Sequence, residues 1–242
     1  MARFGELFVL NVMSQVEGLR ISQEAFVSHF VHDLRACLRA VETLPDWIKE
    51  DLVENSENVP EEVYQYLTSI QVSARRADRL LADVRELCEL DAGADPIEKV
   101  ELSAAVRSLF DRYSLPDGFD VELNMAEQQC ALPQGSFDKV MTALLDNAVK
   151  HNGGRGGTIF ITNINTNAAL LVGDDGAGIA EEYRESVFDP FVTLKPRDVI
   201  EGSGMGLTLA RRRVESWGGT LRVVTDPRIK GAAFEVGFST AG

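Results

Sequence analysis

The sequence predicts an α+β chain in two parts: an N-terminal helical hairpin over residues 22–92 and an α/β two-layer sandwich over 93–242, after a lead-in at 1–21. Two observations carry this prediction. Between residues 22 and 88 the apolar side chains recur at spacings of three and four, the period of one helical face, with a single polar break near 55–59. Beyond Asp91-Ala92-Gly93-Ala94-Asp95-Pro96 the pattern changes to short β-rich runs alternating with amphipathic helical segments, as expected of helices laid on a mixed sheet. With 242 residues, each part is long enough to bury a core of its own.

The first helix is expected over residues 22–54, on a stripe formed by Val27, Val31, Leu34, Leu38, Val41, Ile48 and Leu52. Pro45 occupies the missing slot and removes a backbone donor, so a kink is expected there. Pro60 followed by Glu61 and Glu62 opens the second helix, whose stripe is Val63, Leu67, Ile70, Ala74, Ala77, Leu81, Val84 and Cys88. Leu80 and Leu87 widen that stripe beyond what one partner helix covers, so two hairpins are expected to close into a four-helix bundle, making the chain a homodimer. A two-helix arm serving only as a dimerisation stalk fits the same period. In the second part, strands are expected near 97–102, 121–125, 130–132, 158–163, 168–173, 220–224 and 233–239, and helices over 103–113, 135–151 and 207–217.

Charge and composition narrow the function. A formal net charge of −14 leaves no basic stripe for a phosphate backbone, so no nucleic-acid partner is expected. The apolar run at 7–12 is far shorter than the ~20 residues a membrane span needs and lacks the flanks of a signal peptide, so no membrane span and a cytoplasmic location are expected. Cys37, Cys88 and Cys130 are odd in number and widely spaced, a pattern of ordinary reduced thiols.

Four stretches of the second part follow one another in the order an ATP pocket needs: Asp146-Asn147-Ala148-Val149-Lys150, Asp174-Asp175-Gly176-Ala177-Gly178-Ile179, Phe188-Asp189-Pro190-Phe191 and Gly202-Ser203-Gly204-Met205-Gly206-Leu207. Asn147 offers an amide oxygen, a hard donor suited to Mg²⁺, which keeps waters and bridges nucleotide phosphates. Lys150 stands three residues on, along the same helical face, and can bring positive charge to those phosphates. Asp174 closes a strand with Gly176 and Gly178 behind it, so its carboxylate can accept the adenine amino hydrogen while glycines let the backbone approach the base. Gly202, Gly204 and Gly206 precede a helix whose N–H groups favour phosphate. The segment 188–201 between them reads as a hinged lid on which Phe191 docks when nucleotide binds.

In the first part, His32 follows the stripe residue Val31 by one position and is therefore rotated about 100° off the buried face. An imidazole is nucleophilic when one ring nitrogen is unprotonated, and the adjacent Asp33 carboxylate can hold the opposite N–H. His29 precedes Phe30 and has no adjacent acid, so it reads as a packing or surface residue.

The four stretches resemble the N, G1, F and G2 boxes of sensor histidine kinases, and Phe26-Val27-Ser28-His29-Phe30-Val31-His32-Asp33-Leu34-Arg35 looks like the phosphoacceptor box of the same family. Residues 38–52 and 194–198 are similar to the phytochrome-like subgroup. The resemblance implies a sandwich shared with DNA gyrase and MutL-type ATPases, with ATP and Mg²⁺ bound to it. It further implies phosphoryl transfer to His32 and then to an aspartate of a response regulator receiver domain. Two departures stand out. Ala143 occupies the position four before Asn147, where ATPases of the superfamily carry a water-activating glutamate and kinases an asparagine. Ala36 and Cys37 replace the polar residue and the proline that usually follow the acceptor, so little phosphatase activity is expected. The competing reading is an ATP-independent scaffold, a pseudokinase or phosphotransfer module that dimerises and docks a regulator; a switch ATPase is disfavoured by Ala143.

Overall fold

The computed structural model describes residues 31, 34–35, 37–54, 59–90, 95–153, 156–164, 169–194 and 203–238. The chain divides into two units, Met1–Glu89 and Leu90–Gly242. His32, Asp33, Ala36 and Gly202 lie outside the described residues, as does the lead-in.

The described part of the first unit is two helices: α1, helical at 31, 34–35 and 37–54, and α2, Glu61–Glu89. They run antiparallel, as the ion pairs Arg35–Asp78 at 2.6 Å and Arg75–Glu42 at 2.9 Å require. Val31, Leu67 and Ala74 are buried, but Val41, Ile48 and Ile70, expected in the buried stripe, are exposed. Pro45 and Gln71 are buried instead. Gln71 Nε2 donates to the Glu42 carbonyl at 3.2 Å and to Asp46 Oδ1 at 2.8 Å, and its own Oε1 accepts from Lys49 Nζ at 3.2 Å. Pro45 has no N–H for the Val41 carbonyl, yet the helix runs on without a break through 37–54. The buried Gln71 amide of the facing helix instead braces the turn around Pro45 through Glu42, Asp46 and Lys49, and the buried face of α2 passes through Gln71 and not Ile70.

The second unit has a five-stranded mixed sheet in the order β2-β4-β5-β7-β6 and a separate antiparallel pair β1-β3. The strands are β1 Glu98–Glu101, β2 Phe119–Asn124, β3 Gln129–Leu132, β4 Gly157–Ile164, β5 Ala169–Asp174, β6 Thr220–Val224 and β7 Ala233–Gly237. The helices are α3 Leu102–Phe110, α4 Gln134–His151 and α5 Gly206–Ser216. Among the described residues only β2 and β4 pair in parallel. Ile159, Ile161, Leu170, Val172, Leu221, Phe234 and Val236 share one core with residues of all three helices. Within each strand these sit two apart, so they lie on one face and the helices cover that face. This is the expected helix-on-sheet sandwich. The helix expected to reach Tyr113 stops at Phe110, and two 3-10 turns, Glu181–Tyr183 and Ser186–Phe188, were not foreseen.

Two side chains splice the sheets to their surroundings. Glu101 caps α3, accepting from Ser103 N at 3.0 Å, Ser103 Oγ at 2.7 Å and Ala104 N at 2.6 Å. Asn163 is largely buried on β4 and mimics a strand partner: its Oδ1 accepts from Ala126 N and its Nδ2 donates to the Ala126 carbonyl, each at 2.9 Å.

Candidate functional site

The core face of α4 is Phe137, Val140, Met141, Leu144, Leu145 and Ala148, all buried. Asn147 and Lys150 fall off that face, half-buried and exposed respectively. Among the described residues the Asn147 amide makes no hydrogen bond, so its oxygen remains available to a ligand. Asp146 points elsewhere and accepts from the Tyr113 hydroxyl at 2.7 Å, which pins α4 to the end of α3. Burial and the Asp146 carboxylate push the Tyr113 hydroxyl well up, so it remains a donor. Ala143 packs against the core, and its methyl offers no donor or acceptor.

At the end of β5, Asp174 is only 4% exposed. Its Oδ1 accepts from Gly176 N at 2.8 Å and Ala232 N at 3.1 Å, and its carbonyl accepts from Gly231 N at 2.9 Å. These contacts commit one carboxylate oxygen to the backbone and leave Oδ2 without a protein donor among the described residues. Burial raises the Asp174 carboxyl above the usual value, more than those two N–H groups lower it, and the neighbouring Asp175 charge adds to the rise. Gly178 has a φ of 75°, the left-handed region that favours glycine.

The start of the expected lid divides its aromatic residues. Phe188 is buried against Phe234, edge-on at 6.4 Å, with the Arg211 guanidinium 4.7 Å from its ring centroid. Phe191 is 45% exposed and has a φ of 65°. Its N–H donates to the Gly204 carbonyl at 3.1 Å, tying the lid's first turn to the glycine turn. Gly204 has a φ of 75°, and a Cβ there would lie 2.8 Å from the Phe191 carbonyl carbon. Gly206 opens α5, and among the described residues no side chain caps that helix, which leaves its first N–H groups without a side-chain acceptor there.

The structure therefore brings Asp174 together with Gly176, and Phe191 with Gly204. The end of α4 abuts the turn after Asp174, since a Cβ on Gly176 would lie 3.6 Å from the His151 carbonyl oxygen. Sequence reasoning missed Gly231 and Ala232, which grip Asp174 from the β6–β7 connection, and the hydrogen bond of Asn152 Nδ2 to Asp175 Oδ1 at 2.7 Å. No local motif marks the first pair. The second was signalled only by a polar residue at the helix end. Among the described residues no group of three His, Cys, Asp or Glu could hold a metal. A neutral amide oxygen such as that of Asn147 fits Mg²⁺ that takes its remaining ligands from phosphates and water.

Residues 134–241, the stretch that runs from α4 through β7, match the family described as histidine kinase-, DNA gyrase B- and HSP90-like ATPase. Relatives extend the likeness over both units. The signal transduction histidine-protein kinase/phosphatase MprB of Mycolicibacterium vanbaalenii is 28% identical over 228 residues, 92% of this chain and 47% of its own length. The sensor protein ChvG of Rhizobium meliloti is 31% identical over 87% of this chain and 38% of its own length. The fold is also that of the Acinetobacter baumannii histidine kinase AdeS, with TM-score 0.54, 19% identity, and 85% of this chain and 98% of that one covered. Full-length ShkA in complex with AMPPNP is similar too, with TM-score 0.57, 22% identity, and 90% and 47% of the two chains covered. The chain is similar to sensor histidine kinases, and it spans about half the length of the first of these curated relatives. The narrower likeness to the phytochrome-like subgroup gains no support from them. Among the described residues no helix is long and apolar enough to cross a membrane.

Proposed function

We propose that the chain is the kinase core of a two-component system, working in the cytoplasm. Residues 22–92 serve as the dimerisation and phosphoacceptor domain, and 93–242 as the ATP-binding catalytic domain. The observation that carries this reading is that the likeness to histidine kinases runs over 92% of the chain, across both units, and not only over the ATPase domain.

In this reading Asp174 Oδ2 accepts the adenine amino hydrogen, and the two backbone N–H groups on Oδ1 hold the carboxylate in place for it. Asn147 holds Mg²⁺, which when bound neutralises charge on the phosphates. Lys150 and the N–H groups at the start of α5, with the Gly202–Gly204–Gly206 turn, bind the phosphates. The unprotonated ring nitrogen of His32 attacks the γ-phosphorus, the bond to the β-phosphate oxygen breaks and ADP leaves. Asp33 holds the opposite ring N–H as charge develops. An aspartate of a response regulator then takes the phosphoryl group, breaking the N–P bond. Positioning and charge stabilisation are most of what such a transfer asks of a protein. Ala143 supports transfer over hydrolysis, since it cannot activate water. The exposed Val41, Leu44, Ile48 and Ile70 of the hairpin support a homodimer.

Incubation with γ-labelled ATP and Mg²⁺ tests the proposal. An acid-labile, base-stable label on the chain is expected, whereas ATP binding with no such label would favour the scaffold reading.

A further inference from the structure

Asn152 and Asp175 link the two elements that carry the ends of the proposed nucleotide site. Asn152 closes α4 immediately after the segment carrying Asn147 and Lys150, and Asp175 follows Asp174. The 2.7 Å hydrogen bond from Asn152 Nδ2 to Asp175 Oδ1 joins the phosphate-side helix to the base-side turn. The backbone of β4 leaves room for that bond. A Cβ on Gly157 would fall inside contact distance of Asn152 Nδ2 and lie 2.5 Å from Asp175 Oδ1. Gly157 has no left-handed φ, so it is space and not conformational freedom that glycine supplies there. The turn also sits on the helix end itself, since a Cβ on Gly176 would lie 3.8 Å from Asn152 Cα.

We infer that Asn152 is a positioning residue for the nucleotide: through Asp175 it sets the span between Asp174, at the base, and Asn147 and Lys150, at the phosphates. The inference rests on the nucleotide-site reading above. A ligand that reaches both ends gains from a span set in advance, because the protein does not have to order itself on binding. A ligand that uses the base end alone gains nothing from it. A residue that merely supported the fold would weaken both kinds of ligand alike.

The test is calorimetric titration of the full chain with two probes, adenosine and ATP in the presence of Mg²⁺. Asn152→Ala is expected to weaken Mg-ATP by about five- to tenfold, the scale of one lost hydrogen bond, and to leave adenosine within about twofold. Asp175→Ala should do the same, and the double variant should lose no more than either single one. Gly157→Ala, which displaces the bond without changing either partner, should follow them. The exchange Asn152→Asp with Asp175→Asn restores a donor and an acceptor and should restore Mg-ATP affinity, which keeps the inference testable if Asn152→Ala fails to fold. Equal weakening of both probes, no weakening of either, or an exchange that folds without recovering Mg-ATP affinity would overturn the inference. A wild-type chain that binds Mg-ATP while these outcomes appear sinks the positioning role alone; a wild-type chain that does not bind Mg-ATP sinks the nucleotide reading with it.

Discussion

Asp174 is an acid in a place that disfavours its charge, and both its stability and its binding behaviour follow from that. Its carboxyl is raised above the ordinary value of 3.8 by burial, so the ionised form costs stability at neutral pH, a cost relieved as the pH falls through the raised value. Base recognition needs the unprotonated oxygen. ATP affinity should therefore decline on acidification at a pH above 3.8, a shift that titrations across pH would reveal. Asp174→Asn tests the same carboxyl. That variant should keep or gain melting temperature while losing nucleotide binding, because its amide removes the buried charge and sets an NH₂ towards the base. Retained ATP affinity would place the base elsewhere. In the first unit, His32→Gln is expected to remove the label from γ-labelled ATP while His29→Gln keeps most of it; the reverse result would reassign the acceptor. The role proposed for Asp174 was read from Asp174-Asp175-Gly176-Ala177-Gly178 alone. The N–H group that completes its setting comes from Ala232, 58 residues away, where no local pattern points back to it.

At the scale of single elements, the cap on α3 and the glycine turn before α5 are the parts most open to test. The Ser103 hydroxyl and backbone N–H groups hold Glu101 at about 2, against its usual 4.5. Its contribution to stability is therefore present above 4.5 and lost as the pH falls from there through about 2. Glu101→Ala should cost about 1 kcal/mol at neutral pH, the typical value of a lost cap, with the deficit shrinking in acid melts. Gly204→Ala meets a left-handed φ of 75° and the Phe191 backbone together, so it should lose Mg-ATP binding while circular dichroism stays native. The glycine of that turn was evident from its motif. The burial of Gln71 was not, because the period of apolar residues placed Ile70 inward and gave no weight to a polar side chain that bonds Glu42, Asp46 and Lys49 of the facing helix.

For the whole molecule, the proposed dimer and its nucleotide govern what solution measurements should see. Val41 and Ile48 are exposed within the single chain, so Val41→Glu with Ile48→Glu should cost the isolated hairpin little yet yield a monomer by sedimentation equilibrium. A dimer that persists would move the interface elsewhere. Saturating Mg-ATP at about a hundred times its Kd should raise the catalytic unit's melting temperature by roughly 5–10 °C, following from about 2.7 kcal/mol of linkage. Ala36, four residues after the proposed acceptor His32 in the sequence, offers no polar group, so phosphate release from a phosphorylated regulator should not exceed that of the regulator alone when ADP is absent. Cys37, in place of the usual proline, is exposed within the helical run of α1.

By itself the amino-acid sequence determined the helical hairpin, the order of strands and helices in the second unit and the four glycine- and acid-bearing stretches. Each of these is written within a few residues by period, breaker or turn chemistry. The tertiary structure alone decided that β2 pairs with β4 in parallel, that Asn163 imitates a strand for Ala126, and that Gly231 and Ala232 grip Asp174. It alone showed that Gly157 is small to make way for Asn152 and Asp175. The difference is physical: local rules act through the chain's own dihedrals and neighbouring side chains. These four features join residues that meet only after the sheet has ordered, through contacts whose partners no short stretch of sequence names.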